Sequence, residues 1–325
     1  MESLITRFDT ENPCWTSDVL ARAGEDASLL PQLVNDGILH LEDEVYSLTE
    51  TGAQEFERLS EEMFLGVKPG AAPADRKKSA ARSRLRLLLD EAHSQRWGMK
   101  KYLSGVSLDV YPKLSREETF SLADGKLEWK YDESPVCKKM KDEVPTAFID
   151  SRRTDMVPPE KLAAWLAANA AEPGNLDVDL LYLCYYDFMQ YRDFTGHPND
   201  PLKLINTDRF LFVFPEDDIA ANVETVGKFH LWLNGLRRLF IPGYVDRDTQ
   251  EQDSVSWLVF TTETESEAKA LAEQLGAFGE ELVLAANPCE VWTMSFEALE
   301  NLDAKRELIW ELLPDICHHA QRTVI

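Results

Sequence analysis

The sequence lacks most of the patterns that familiar enzymes carry. Its 325 residues include 15 glycines, none of them clustered, and no GxxxxGK[ST], GxGxxG, GxSxG or HExxH pattern occurs. The five cysteines are far apart, odd in number and outside CxxC spacing, which argues against a disulfide framework and a zinc ribbon. We therefore expect no cofactor, and a non-enzymatic protein is favoured over an enzyme.

Signals for membranes and export are also missing. No apolar run approaches the roughly 18 residues that a membrane span needs. The first residues show no basic stretch followed by an apolar one, so no secretory signal is predicted. Hydrophobic residues make up 44% and charged residues 28%, which is typical of a globular protein. We predict a cytoplasmic protein that has no membrane partner.

Basic residues are scarce and unevenly distributed. The chain has 34 Lys and Arg against 58 Asp and Glu, a net charge of -24. Residues 1–66 hold 15 acidic and 3 basic side chains, residues 67–101 hold 3 and 10, and residues 102–325 hold 40 and 21. These changes predict an N-terminal domain (1–66), a linker with a basic amphipathic helix (67–101) and a body (102–325). The body is either one domain or two subdomains, at about 102–200 and 201–325.

Two helices, a hairpin and a third helix are predicted within residues 16–66. Ser17 and Asp26 can cap the first two helices, over Asp18–Ala23 and Ala27–Asn35. Residues 38–48 have the pattern of a two-stranded hairpin with three carboxylates at its tip. Thr49 then begins the last helix, which is expected to run through residue 64.

This order, with Leu48-Thr49-Glu50-Thr51-Gly52 opening the last helix, resembles the winged-helix family of bacterial regulators. The resemblance implies a helix-turn-helix whose second helix enters the DNA major groove and a hairpin, the wing, that touches phosphate. It assigns these roles to Ser28, Gln32 and Asn35 on the helix and to Glu42, Asp43 and Glu44 on the wing.

The charges at those positions oppose DNA binding. The matching helix has no Lys or Arg, and the wing tip consists of three consecutive carboxylates. Duplex affinity depends largely on neutralising phosphates, so this surface adds repulsion instead. A protein partner is therefore favoured over a nucleic acid.

The basic helix is predicted over residues 75–97. Its candidate interaction residues are Lys77, Lys78, Arg82, Arg84 and Arg86. An apolar stripe of Ala81, Leu85, Leu88 and Ala92 follows another face and could form a dimer seam. Three interpretations stay open: contact with DNA phosphate, docking on an acidic part of this chain or a second copy, or an ordinary solvated face. The acidic flanks on both sides favour docking.

The body is predicted to mix helices and strands. A hairpin with an Asp124–Gly125 turn is expected near residues 119–131. Leu180–Tyr191 fits either a buried strand or a helix, and the helix is favoured because Leu180, Cys184, Phe188 and Tyr191 fall on one face. Two similar strand-then-helix units begin at Phe210 and Trp257. Further elements are expected at 146–150, 160–170, 281–285 and 290–294, with helices to about residue 313. The fold class is α+β or α/β, with one sheet in the body.

Two groups of side chains could bind a metal. Asp187, Asp193 and His197 offer oxygen and imidazole ligands that suit Mn, Fe or Zn. Cys317, His318 and His319 are consecutive, and neighbours on a helix point about 100° apart, so we interpret them as exposed residues rather than ligands.

Three functions follow in order of preference. The first is a regulatory or protein-interaction protein that uses its acidic winged helix for protein contact, with a protein partner or self-association. The second is a DNA-binding transcriptional regulator with phosphate contacts from helix 75–97. The third is a metal-dependent enzyme centred on Asp187.

Overall fold

The chain combines helices and strands in an α+β arrangement, which confirms the predicted fold class. The structure is a computed structural model, and the residues that it describes divide into two units, Met1–Ala92 and His93–Ile325. The described residues are 2–93, 99–109, 120–123, 126–129, 174–185, 207–239, 256–277, 291–302 and 315–320.

The first unit contains the two helices, the hairpin and the third helix that its sequence predicts. Three antiparallel strands form one sheet in the order β1-β3-β2. The elements are α1 (Glu2–Ile5), β1 (Cys14–Thr16), α2 (Ser17–Arg22), a 3₁₀ turn (Ala27–Leu29), α3 (Leu30–Asn35), β2 (Leu39–Glu42), β3 (Val45–Leu48), α4 (Glu50–Glu62) and α5 (Arg76–Ala92).

Of the two predicted helix caps, Asp26 is present and Ser17 is not, and Thr49 caps the helix that it was predicted to begin. Asp26 caps the 3₁₀ turn, and the Thr49 hydroxyl accepts a hydrogen bond from the Gly52 N–H at 3.0 Å. At α2 the prediction is wrong, because Thr16 occupies the capping position and its side chain makes no capping bond. The helix therefore already includes Ser17.

Helices α2 and α3 end in the same type of turn. The Glu25 N–H bonds to the Leu20 carbonyl at 3.0 Å, and the Ile38 N–H bonds to the Leu33 carbonyl at 2.9 Å. Each turn needs one residue in the left-handed region, and glycine supplies it both times, with φ of 85° and 71°. These two turns set the directions in which the chain leaves the helices.

The core of the first unit joins α1 to the sheet and to the three following helices. Trp15 anchors it, because its indole N–H donates to the carbonyls of Arg7 and Asn12, each at 3.0 Å. The buried apolar residues are Leu4, Ile5, Phe8, Trp15, Val19, Leu20, Leu30, Leu33, Leu39, Leu48, Phe56 and Leu59.

The second unit contains a six-stranded mixed sheet in the order β11-β10-β9-β8-β7-β4 and a separate two-stranded hairpin, β5-β6. Strands β8, β9 and β10 are parallel, and the remaining pairs are antiparallel. The elements are β4 (Met99–Asp109), β5 (Phe120–Ala123), β6 (Lys126–Trp129), β7 (Asn175–Tyr185), β8 (Thr207–Val213), α6 (Ile219–Leu239), β9 (Ser256–Thr262), α7 (Glu265–Ala277), β10 (Val291–Ser295), α8 (Phe296–Glu300) and β11 (Cys317–His319).

The helix predicted over Leu180–Tyr191 is wrong for the part that the structure describes. Residues 180–185 belong to β7, which pairs with β4 on one side and β8 on the other. Leu180 to Leu183 are all at least 96% buried, so the strand is covered on both faces. A strand of this kind has a continuous apolar run, which periodicity alone does not distinguish from a buried helix.

The two strand-then-helix units are confirmed as β8-α6 and β9-α7. The hairpin is confirmed as β5-β6, and the strand expected at 290–294 is β10. The predicted Asp124–Gly125 turn lies outside the described residues. The elements expected at 146–150, 160–170 and 281–285 also lie outside them. Of the helices expected to about residue 313, α8 is present and residues 303–313 lie outside the described part.

Candidate interaction surface

One side of the 3₁₀ turn and α3 is open to solvent and uncharged over most of its length. Asp26 accepts hydrogen bonds from the Ser28 hydroxyl (2.6 Å) and N–H (3.1 Å), and these bonds lower the pKa of the Asp26 carboxyl. Leu30 and Leu33 face the core. The predicted contact residues Ser28, Gln32 and Asn35 are all exposed, and Pro31 is exposed beside them. We call this set the α3 face.

The wing tip between β2 and β3 consists of three exposed carboxylates, Glu42, Asp43 and Glu44. Asp43 and Glu44 have φ of 50° and 66°, which is the left-handed conformation of a tight two-residue hairpin turn. Asp tolerates this region better than Glu, which has no short side chain to bond its own backbone. The wing therefore combines like charges with a strained turn.

Relieving that turn is expected to stabilise the hairpin. Glu44→Gly should raise the free energy of local opening by about 0.5–1 kcal/mol, because glycine adopts positive φ at no steric cost. Amide hydrogen exchange of peptides covering residues 39–48 measures this opening. Glu44→Ala is the matched control, since it removes the same charge and keeps the strain. Equal protection in the two variants would contradict the prediction.

The basic helix α5 is paired with the wing inside the first unit. Asp75 directly precedes α5, and its carboxylate accepts the Lys78 N–H at 2.8 Å. The next two residues then reach the wing carboxylates. Arg76 lies 2.9 Å from Glu42, and Lys77 lies 3.1 Å from Asp43. The positive start of α5 thus neutralises most of the negative tip.

Further contacts fix α5 along its length. Arg86 lies 3.8 Å from Glu11, and Glu91 lies 2.8 Å from Arg22 of α2. Ala80, 5% exposed, packs in a buried cluster with Cys14 of β1 and Val45 of β3. Burial raises the pKa of the Cys14 thiol, so the thiol stays protonated at neutral pH. Helix α5 is therefore an integral layer of the first unit.

All five basic candidate residues have interaction partners. Lys77 and Arg86 pair with the carboxylates of Asp43 and Glu11, and Lys78, Arg82 and Arg84 also have partners. Within the described residues the helix runs over Arg76–Ala92; residues 94–98, where its predicted end lies, are outside the described part.

The proposed dimer seam on α5 is wrong. Leu85, Leu88 and Ala92 are at least 96% buried within the chain, and Ala81 is half-buried. A seam between two copies needs an apolar stripe that is exposed in the single chain, and α5 does not offer one.

The metal candidates gain no support. Asp187, Asp193 and His197 lie outside the described residues. Within the described residues, no group of three or more His, Cys, Asp or Glu side chains could hold a metal ion. Residues 317–319 form the strand β11 at the edge of the large sheet rather than a helix; Cys317 and His318 are half-buried, and His319 is exposed as predicted.

Residues of β11 have specific partners. His318 Nε2 lies 2.6 Å from Glu265 Oε1 at the start of α7, and Glu265 also accepts a hydrogen bond from the Ser295 hydroxyl at 3.0 Å. The His319 ring packs against Trp292 with the two ring planes tilted by 41° and 3.5 Å between centroids. In this order the carboxylate bridges serine and histidine, so the imidazole is not placed to take the serine proton. These contacts tie β11 and β10 to α7.

Four residues that orient α5 were not predicted from the sequence: Arg76, Glu11, Arg22 and Glu91. One signal was available for Arg76: it follows a helix cap directly and has the charge opposite to the wing. The other pairs join positions remote in sequence, so no local pattern contains them.

Comparison with known proteins finds no matching family model, no similar curated protein and no similar solved structure. Among the described residues, no helix is both long and apolar enough to cross a membrane. The function of the protein is therefore inferred from the surfaces of the chain itself.

Proposed function

We propose that this protein is a non-enzymatic cytoplasmic regulator or adaptor. Its first unit is a winged-helix module that binds another protein through the α3 face and the adjoining wing. The second unit carries the rest of the α+β body. The order of helices, hairpin and capping threonine supports the family, and the charge distribution supports a protein partner.

The observation that carries the proposal is the pairing of α5 with the wing. A winged helix that binds DNA needs cations on its helix and wing to neutralise phosphates. Here the cations at the start of α5 are engaged by Glu42 and Asp43 of the same unit. The α3 face presents hydroxyl, amide and proline groups without a cation. Such a neutral, partly apolar face suits protein contact better than contact with a polyanion.

A mobility-shift assay with duplex DNA distinguishes the proposed function from the DNA-binding alternative. With duplex DNA at about 50 mM salt, the full chain is expected to give no mobility shift at about 10 μM protein, a concentration at which ordinary DNA-binding proteins attach non-specifically. Attachment that weakens steeply as salt rises would overturn the proposal in favour of a gene regulator.

Crosslinking from the α3 face tests the protein contact itself. A photo-crosslinking amino acid at Gln32, on the α3 face, is expected to capture a discrete protein when the chain is expressed in its own host. The matched control is the same amino acid at Gln54, an exposed position of α4. Equal capture at both positions, or capture at Gln54 alone, would contradict the assignment of the α3 face.

A further inference from the structure

A second surface of the first unit is apolar and exposed. It follows α4 directly, and we call it the 63–67 segment. Phe64 is 94% exposed, and Met63, Leu65 and Val67 are 44%, 40% and 41% exposed. Single exposed apolar residues are common, but four within five positions form a contiguous patch, and such patches mark interaction sites.

The backbone holds Phe64 in an unfavourable conformation. The Leu65 N–H bonds to the Ser60 carbonyl at 3.0 Å and the Phe64 N–H to the Glu61 carbonyl at 3.2 Å, which is the same turn that ends α2 and α3. Phe64 takes the left-handed position of that turn, with φ of 54°. The other two turns have Gly24 and Gly37 at this position, whereas the turn after α4 has a bulky residue with a Cβ atom in the left-handed region. Strain of this kind concentrates at functional positions.

The segment is fixed at both ends. The Ser60 hydroxyl donates to the Val67 carbonyl at 2.8 Å, and the Thr10 N–H donates to the Lys68 carbonyl at 3.1 Å. Immediately beyond, the Gly70 N–H donates to the Phe8 carbonyl at 2.8 Å. Phe64 is therefore presented to solvent by an anchored frame, and a partner that binds it meets a preorganised surface.

The electrostatic surroundings of the patch are negative. Glu57 and Glu61 are exposed, lie four residues apart on one face of α4, and form no ion pair among the residues that the structure describes. Arg58 is held between Glu55 and Glu62 at 2.6 Å from each. The last turn of α4 has no basic residue, although cations are the charges that stabilise a helix C-terminus. Lys68 is the nearest other cation along the chain.

We propose that the 63–67 segment is a docking site for a partner polypeptide whose contact surface is apolar with Lys or Arg at its rim. Phe64 enters the apolar part of the partner, and the cations of the rim face Glu57 and Glu61. This site uses residues different from those of the α3 face, so it stands whether or not the α3 face binds a protein.

The probe is a fluorescent amphipathic peptide of leucine and lysine, about 14 residues long, which forms roughly four helical turns. Fluorescence anisotropy with the full chain measures its affinity at low and physiological salt. Phe64→Asn is expected to weaken binding about tenfold or more, as aromatic anchors do. Asn tolerates the left-handed conformation, so the melting temperature of this variant should be unchanged or higher. Phe64→Tyr is the matched control, since it keeps the aromatic ring at this 94% exposed position, and it should bind the peptide nearly as tightly as the unchanged chain.

The charge contribution is tested by neutralisation. Glu57→Gln with Glu61→Gln should weaken the lysine peptide about threefold to tenfold and flatten its salt dependence. Glu2→Gln with Asp18→Asn removes two exposed charges elsewhere in the unit and should change neither. A leucine–glutamate peptide of the same length should not bind.

Three results would overturn the proposal. The first is peptide binding that Phe64→Asn leaves unchanged, which would show a general attraction to an acidic protein. The second is a concentration-dependent dimer in sedimentation that Phe64→Asn abolishes, which would make a second copy the occupant. The third is Phe64-dependent binding to phosphatidylcholine vesicles, which would make the occupant a lipid surface.

Discussion

Gly52→Ala is expected to destabilise the first unit by about 3 kcal/mol, although alanine is the better helix former by about 1 kcal/mol. A Cβ at this position would lie 2.0 Å from the Ile38 carbonyl oxygen and 3.1 Å from a methyl of Leu48. That carbonyl already accepts the Thr49 N–H at 3.0 Å and the Thr49 hydroxyl at 3.1 Å. The alanine can be accommodated only if α4 moves away and these bonds break.

Urea denaturation, followed by hydrogen exchange of peptides from residues 1–92, measures the effect. Thr51→Ala is the matched control, because it makes a similar change at the exposed neighbouring position of the same helix. It should be neutral or slightly stabilising. A Gly52→Ala variant as stable as Thr51→Ala would show that α4 does not approach the Ile38 carbonyl this closely.

Ala80→Glu is expected to detach α5 from the sheet of the first unit. The new carboxylate would be buried beside Cys14 and Val45, and an unpaired buried charge costs several kcal/mol. The loss cannot exceed the free energy that holds α5 in place, because the helix can leave the sheet and expose the carboxylate to water. Exposed ion pairs such as Lys77–Asp43 contribute about 0–1 kcal/mol each and would not retain it.

Limited trypsin digestion detects the release, since α5 contains several arginines that are protected while the helix is docked. Cleavage between residues 76 and 86 should accelerate at least tenfold, in proportion to the population of the open form. Ala81→Glu places the same charge one residue further, at a half-buried position, and should accelerate cleavage much less. Equal acceleration would mean that the apolar cluster does not hold α5.

Local patterns were enough to predict α2, α3, the β2–β3 hairpin and α4, whereas α1 and β1 were not predicted. Asp26 and Thr49 act as caps, and the carboxylates between two short apolar runs form a hairpin tip. These features depend on residues within a few positions of each other, where backbone chemistry decides the outcome. The parallel strands at Phe210 and Trp257 were predictable for a related reason: each is an apolar run followed directly by a helix start.

Features that depend on distant residues were not predictable. Residues 180–185 are a strand because β4 and β8 cover both edges, and Cys317 to His319 form a strand because β10 offers an edge. The exposure of Phe64 was not predicted either. The sequence pattern predicted a helix through residue 64, in which Phe64 would continue the apolar face of Phe56 and Leu59, but α4 ends at Glu62. The charge balance favoured docking of α5 on an acidic part of the chain, but the side chains that pair with it could be identified only from the structure.

The separation of paired residues along the chain differs between the two units, and this affects the order of folding. In the first unit, β2 and β3 are joined by a two-residue turn. In the large sheet of the second unit, β4 pairs with β7, so that residues as distant in sequence as Met99 and Tyr185 lie opposite each other. Near contacts close quickly and distant ones slowly, so the first unit is expected to fold before the large sheet assembles. The basic start of α5 is then already paired with the wing carboxylates before the strands of the acidic second unit have assembled, so it is not available to bind that unfolded acidic chain.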